Sequence, residues 1–213
     1  MFTDLPPVTR ALLIANALMF LLQQVMPGLV YAFALWPLGE HPIGYGETVS
    51  FLPWQIVSYA FLHGNFAHLF FNMFALLMFG APVEMTWGPR RFAHYYFLCV
   101  IGAGFVQLIV TTLAVREGML YPTVGASGGV YGVLLAFGLM FPDRRVMLLF
   151  PPIPMKAITL VFVFGAIELF LGVTGTQQGV AHFAHLGGMA FGFLLIQYWR
   201  GRPPFRRRPD RRL

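Results

Sequence analysis

Apolar residues crowd into six stretches, near residues 10–27, 67–83, 92–114, 127–141, 156–173 and 183–199, each bounded by proline, glycine or charge. Long apolar runs without strict alternation predict membrane-spanning helices. The first run has no small-x-small cleavage pattern before Met26-Pro27 and further spans follow it, so it reads as a retained helix rather than a signal peptide. Residues 28–66 are too interrupted by Pro and Gly to span. Their aromatics, Trp36, Trp54, Tyr59 and Phe61 among them, predict short helices lying in the outer interface, with Glu40 and Glu47 in water. Such a loop would shield what lies beneath it.

The fourth run is short. At ~1.5 Å per residue, a helix over residues 127–141 would reach ~22 Å, against a bilayer core of ~30 Å. With Arg144 at the aqueous side, Ser127 would lie roughly 8 Å below the opposite surface. The other reading puts Pro122 at the first helical position, which makes an ordinary span in which Ser127 merely packs. Spacing leaves both open.

Charge orients the bundle. Six spans put both ends on one side, and the arginine-rich tail makes that side cytoplasmic. Arg90 and Arg91, then Arg144, Arg145 and Lys156, fall on that side too, and only Arg116 of the 14 Lys and Arg falls outside. The reading is a multi-pass protein of a bacterial-type inner (plasma) membrane: one six-helix domain over residues 1–199 and a basic cytoplasmic tail over 200–213. Composition agrees: 58% of residues are hydrophobic and 10% charged, against roughly 25% charged in soluble domains. The net charge of +6 sits mostly in the tail, so it marks a topology anchor rather than nucleic-acid binding. The lone Cys99 excludes an intrachain disulfide.

Within the spans, glycines recur every four residues: Gly125 and Gly129, Gly128 and Gly132 in the fourth, then Ala184, Gly188 and Gly192 in the sixth. Close helix approach accounts for most of them. Their company is chemical. Ser127 and Tyr131 stand one turn apart, and His185 shares a face with Gly188 and Gly192, so close approach brings an imidazole toward a hydroxyl. Neutral histidine is the usual base for a serine nucleophile. No aspartate lies in the apolar runs to orient the ring, so a three-member triad is unsupported, and stacking on Tyr131 is the substitute. Glu168, the acid well inside the fifth span, is assigned a structural hydrogen-bonding or gating role above catalysis. His68 and Asn72, one turn apart on the second span, would serve as interhelical glue, or beside a serine as oxyanion donors together with the Ser127 backbone N–H.

Zinc is the rival chemistry, through His63 and His68 or His182 and His185, yet the chain has no H-E-x-x-H. His63 and His94 are expected to be hydrogen-bonding residues, and no metal or cofactor is expected. A transporter would need paired interrupted half-helices, which the pattern lacks.

Three motifs together resemble the rhomboid intramembrane serine proteases over essentially the whole chain. They are the stretch from His63 through His68 to Asn72, the G-x-S-G-x-x-Y-G run from Gly125 to Gly132, and A-H-x-x-G-x-x-x-G from Ala184 to Gly192. Trp54-Gln55, and Glu84 ahead of Gly88 and Arg91, also look family-like in structural roles. The resemblance implies an all-α, six-span bundle with Ser127 as nucleophile and His185 as base of a dyad. It further implies an oxyanion hole lined by His68, Asn72 and Ser127, with Tyr131 against the histidine and Gly125, Gly128 and Gly188 in support. It favours the submerged start of the fourth helix. Implied partners are single-span membrane proteins and the lipid bilayer, with no nucleic acid and no obligate protein partner. A noncatalytic rhomboid-like protein that binds or chaperones membrane helices is the alternative.

Overall fold

Proline and asparagine set where several helices begin. Pro7 and Pro89 occupy first-turn positions, where a missing N–H costs nothing, and the Asn65 side chain accepts the His68 amide at 2.8 Å as an N-cap. The computed structural model describes residues 5–44, 46–147, 152–175 and 180–202. Six main helices carry it: α1 Pro7–Val25, α2 Phe66–Trp87, α3 Pro89–Val115, α4 Ser127–Met140, α5 Ala157–Thr174 and α6 His182–Trp199. They fall on the six apolar runs. Of these, α1, α2, α3 and α5 are long and apolar enough to cross a membrane, and α4 is a shorter apolar helix of 14 residues. The chain is thus a mostly helical membrane protein. Most of the arginine-rich tail lies outside the described residues, as do residues 176–179 between α5 and α6.

Inside α2, Pro82 cannot donate to the Met78 carbonyl, and the helix widens into a π turn over Leu76–Gly80 before resuming. Just beyond, Glu84 is 1% exposed and accepts the backbone amides of Val8 at 2.8 Å and Thr9 at 2.7 Å, plus the Thr9 hydroxyl at 2.7 Å. An acid on α2 therefore caps the start of α1, whose first-turn amides have no intrahelical partner. Glu84→Ala leaves three donors unpaired in a dry site. It is expected to cost about 2–4 kcal/mol and to lower the melting temperature of the detergent-solubilised protein; an unchanged melt would remove this cap as a stabilising element. At the same end, the Arg91 guanidinium lies 4.2 Å from the Trp199 ring centre and 5.4 Å from that of Trp87, tying α2, α3 and α6 together.

The loop between α1 and α2 holds the predicted short helices, Leu29–Phe33, Gln55–Ser58 and a 3₁₀ turn Tyr59–Phe61, with Glu40 and Glu47 exposed. It also holds a hairpin that periodicity does not reveal, β1 His41–Gly44 with β2 Glu47–Val49, and a second, β3 Arg145–Met147 with β4 Pro154–Lys156, joins α4 to α5. Strands this short carry too few alternating positions to register as a pattern. Nor do all the loop aromatics face the interface: Trp36 and Tyr59 are buried, the latter donating its hydroxyl to the Val100 carbonyl at 2.8 Å.

Packing centres on α4, which is buried along most of its length against α2, α3, α5 and α6. In lipid there is no hydrophobic drive between helices, so tight backbone approach and hydrogen bonds must hold them. The glycine stripes do this. A Cβ placed on Gly188 would lie 1.9 Å from the Gly128 carbonyl oxygen, one on Gly132 would lie 2.4 Å from Cys99 Sγ, and one on Gly192 would lie 2.4 Å from the Tyr95 hydroxyl. Tyr95 in turn donates to the Gly132 carbonyl at 2.7 Å.

Candidate active site

The segment before α4 decides between the two readings of that helix. Thr123 exchanges backbone hydrogen bonds with Leu35 of the α1–α2 loop at 2.9 and 3.0 Å, and the Gly125 amide donates to the Tyr59 carbonyl at 2.9 Å. Those amides are committed outside any helix, so a helix running from Pro122 is not formed and α4 begins at Ser127. Gly125 has φ +127°, a conformation side chains resist, and a Cβ there would sit 2.7 Å from His68 Nε2. Glycine at 125 thus lets the histidine of α2 come up beside the serine turn.

Ser127 is half-buried and His185 is 7% exposed, one at the start of α4 and the other one turn into α6. The Gly128–Gly188 contact holds these helix starts together, and the result is a Ser127 Oγ to His185 Nε2 distance of 2.7 Å. The Tyr131 ring stacks on the imidazole, with centroids 4.3 Å apart and planes within 5°. Sequence spacing brings these three together, and the structure brings them together. His182, one turn before His185, has its Nδ1 2.6 Å from Glu168 Oε2.

Glu168 is where sequence reasoning fell short. The residue is 6% exposed and its carboxylate gathers three groups: the Tyr131 hydroxyl donates to Oε1, His182 Nδ1 contacts Oε2, and His185 Nδ1 lies 2.9 Å from the same Oε2, off the line of an ideal hydrogen bond. The hydrogen-bonding role expected for Glu168 is present, and its partners include the histidine beside Ser127. That contact joins α5 to α6, which no spacing within one helix reports. The same three residues, Glu168, His182 and His185, each offer a donor atom within 4.8 Å of the others, the one group of this kind among the described residues. The donor set for a metal is therefore available at His182 and His185. Within it, the 2.6 Å between His182 Nδ1 and Glu168 Oε2 is a hydrogen-bond distance.

The second-span residues fall as follows. His68 is partly exposed and its ring abuts Gly125; Asn72 is buried and one of its amide hydrogens goes to the His68 carbonyl at 2.9 Å. An amide nitrogen carries two hydrogens, so a second donor remains on Asn72. His63 packs edge-on to His68 at 5.0 Å with the Phe61 backbone as a polar neighbour of its ring, and its own backbone N–H and C=O are held by Gln23 at 3.0 and 3.4 Å. Burial pushes its imidazole down to about 4, so it stays neutral at physiological pH. His94 is exposed on α3.

A serine and an imidazole in hydrogen-bond contact thus sit among the apolar helices of a membrane protein. The model of the Rhomboid domain matches residues 51–202, and the chain belongs to the rhomboid family. RHOMBOID-like protein 4 of Arabidopsis thaliana is 34% identical over 142 residues, covering 67% of this chain and 33% of the plant protein. Rhomboid protein 1, mitochondrial, of Saccharomyces cerevisiae is 32% identical over 144 residues, 68% of this chain and 41% of its own. Presenilin-associated rhomboid-like protein, mitochondrial, of Mus musculus is 28% identical over 153 residues, 68% of this chain and 39% of its own. The matched stretch thus spans about a third to two fifths of the length of these relatives.

Proposed function

We propose that the chain is an intramembrane serine endopeptidase that cuts transmembrane segments of other membrane proteins near the outer face through a Ser127–His185 dyad. The observation that carries the reading is the 2.7 Å contact between Ser127 Oγ and His185 Nε2 in a chain of the rhomboid family. Ser127 Oγ attacks the carbonyl carbon of a peptide bond while its proton passes to His185 Nε2. The resulting oxyanion accepts the Ser127 backbone N–H at the helix start, with His68 and Asn72 as side-chain donors. Collapse breaks the C–N bond, and His185 gives its proton to the departing amine. Water then attacks the acyl-enzyme with His185 again as base, releasing the acid and the free serine.

Substrates on this reading are single-span proteins whose segment unwinds readily and carries a small residue before the cut. They enter past α5, whose Phe162, Phe170 and Val173 are exposed and apolar, as a face that meets lipid or an incoming helix requires. The bundle acts as one domain with a basic tail, crosses the membrane six times and keeps both termini on the cytoplasmic side of a bacterial-type plasma membrane. The basic loop residues support that orientation. The test is covalent: a fluorophosphonate is expected to phosphonylate the wild-type protein at Ser127, and to leave both Ser127→Ala and His185→Ala unlabelled. Folded wild-type protein that takes no label and cuts no membrane substrate would make it the noncatalytic binding protein instead.

A further inference from the structure

We infer that Glu168 is a positioning residue for the catalytic base: its carboxylate holds His185 with Nε2 toward Ser127 and balances the charge that His185 acquires in the reaction. The inference rests on the dyad reading above and adds a third member to it.

The starting observation is the wiring of the two imidazole nitrogens. Nε2 of His185 faces the serine hydroxyl at 2.7 Å, and as the proton acceptor it must be bare. The neutral ring then carries its hydrogen on Nδ1, and the atom 2.9 Å from Nδ1 is Glu168 Oε2. The approach is off the ideal hydrogen-bond line, so the contact acts chiefly through charge. When Nε2 takes the serine proton the ring becomes an imidazolium, and a carboxylate against its far edge, buried and shielded from water, favours that form. The Nδ1 proton stays on His185 throughout, and Glu168 remains ionised.

The rest of the network keeps the carboxylate in place. Tyr131 stacks on the His185 ring and also donates its hydroxyl to Oε1, so one side chain fixes the imidazole plane and the carboxylate together. His182 Nδ1 holds Oε2 from the preceding turn of α6. Each residue therefore constrains another: α4 supplies the serine and tyrosine, α6 both histidines, and α5 the carboxylate that links them.

A purely structural reading makes Glu168 a latch that fastens α5 to the bundle. The two readings separate with the isosteric Glu168→Gln in the full chain, which keeps an acceptor oxygen but loses the charge. Positioning predicts a fall in kcat of roughly 10²- to 10⁴-fold with KM unchanged. It also predicts an equal slowing of fluorophosphonate labelling, because a small reagent needs an activated serine and no parting of helices. A latch predicts a changed KM and labelling as fast as wild type or faster, which would overturn the inference. A second measurement needs no variant at this position. With ¹⁵N-histidine label, the ring shifts of wild-type His185, assigned by their loss in His185→Ala, are expected to report the Nδ1–H tautomer. The Nε2–H tautomer would overturn the inference whatever the folding of Glu168→Gln. Full activity in Glu168→Gln beside an inert Ser127→Ala defeats this inference alone, whereas cleavage by Ser127→Ala defeats the dyad itself.

Discussion

Ser127→Ala and His185→Ala are each expected to lower cleavage of a co-expressed single-span membrane protein by about 10⁶-fold, and the double variant to fall no further. The reason is that the pair acts as one unit. Without the imidazole the hydroxyl keeps its proton and is a poor nucleophile, and without the hydroxyl the imidazole has nothing to deprotonate except water. Two independent contributions would multiply, giving a double variant far below either single one. Residual cleavage in all three variants should be equal, since it comes from donors and binding that the substitutions leave in place. Immunoblotting of substrate fragments measures all three at once, with the melting temperature of each purified variant as the control for folding. Ser127 and His185 belong to the tightly packed starts of α4 and α6, but neither side chain bears on the close approach of Gly188 to the Gly128 carbonyl, so the variants should melt near wild type. Cleavage in Ser127→Ala well above that shared residual level would end the dyad reading.

How far the sequence reaches depends on the kind of contact. Repeats along one helix show in the residue spacing itself, so the small-residue stripes of α4 and α6 and the pairing of Ser127 with His185 follow from four-residue spacing and two motifs. Contacts between helices that share no motif leave no such trace. Glu168 illustrates this: an acid in an apolar helix announces that something polar faces it, but only the packing of α5 against α6 shows that the partners are His182 and His185. Glu84 is similar, since capping α1 from α2 depends on where two distant segments meet. The hairpin β1–β2 is hidden because two short strands sit inside a loop that aromatic content alone assigns to the interface. The start of α4 is undecidable from spacing because both Pro122 and Ser127 suit a helix N-terminus. Leu35 and Tyr59 make the choice, claiming the backbone groups of Thr123 and Gly125 from across the loop.

Gly188→Ala is expected to reduce cleavage at least about 10²-fold and to lower the melting temperature, although residue 188 touches neither Ser127 Oγ nor substrate. A Cβ on Gly188 falls 1.9 Å from the Gly128 carbonyl oxygen. That oxygen belongs to helix backbone and has no rotamer to yield. Ordinary carbon–oxygen contact is about 3.3 Å or more, so α4 and α6 must separate by roughly 1.4 Å at this level. The contact sits one residue past Ser127 and three past His185, so the separation is felt directly in their 2.7 Å hydrogen bond. A displacement of that size breaks the near-attack geometry on which general-base catalysis depends. It also opens a gap that lipid-embedded helices have no hydrophobic drive to close. Gly165→Ala on α5 is the matched control, because a Cβ there would meet only Met189, its Cε at 3.5 Å, an ordinary contact with a flexible side chain. It should melt and cleave as wild type. Fluorophosphonate labelling of the two variants, run beside substrate cleavage, tells whether the serine itself is deactivated. Wild-type labelling and melting in Gly188→Ala would mean that the helix starts can part without cost, and that backbone proximity is not what brings the hydroxyl and the imidazole together.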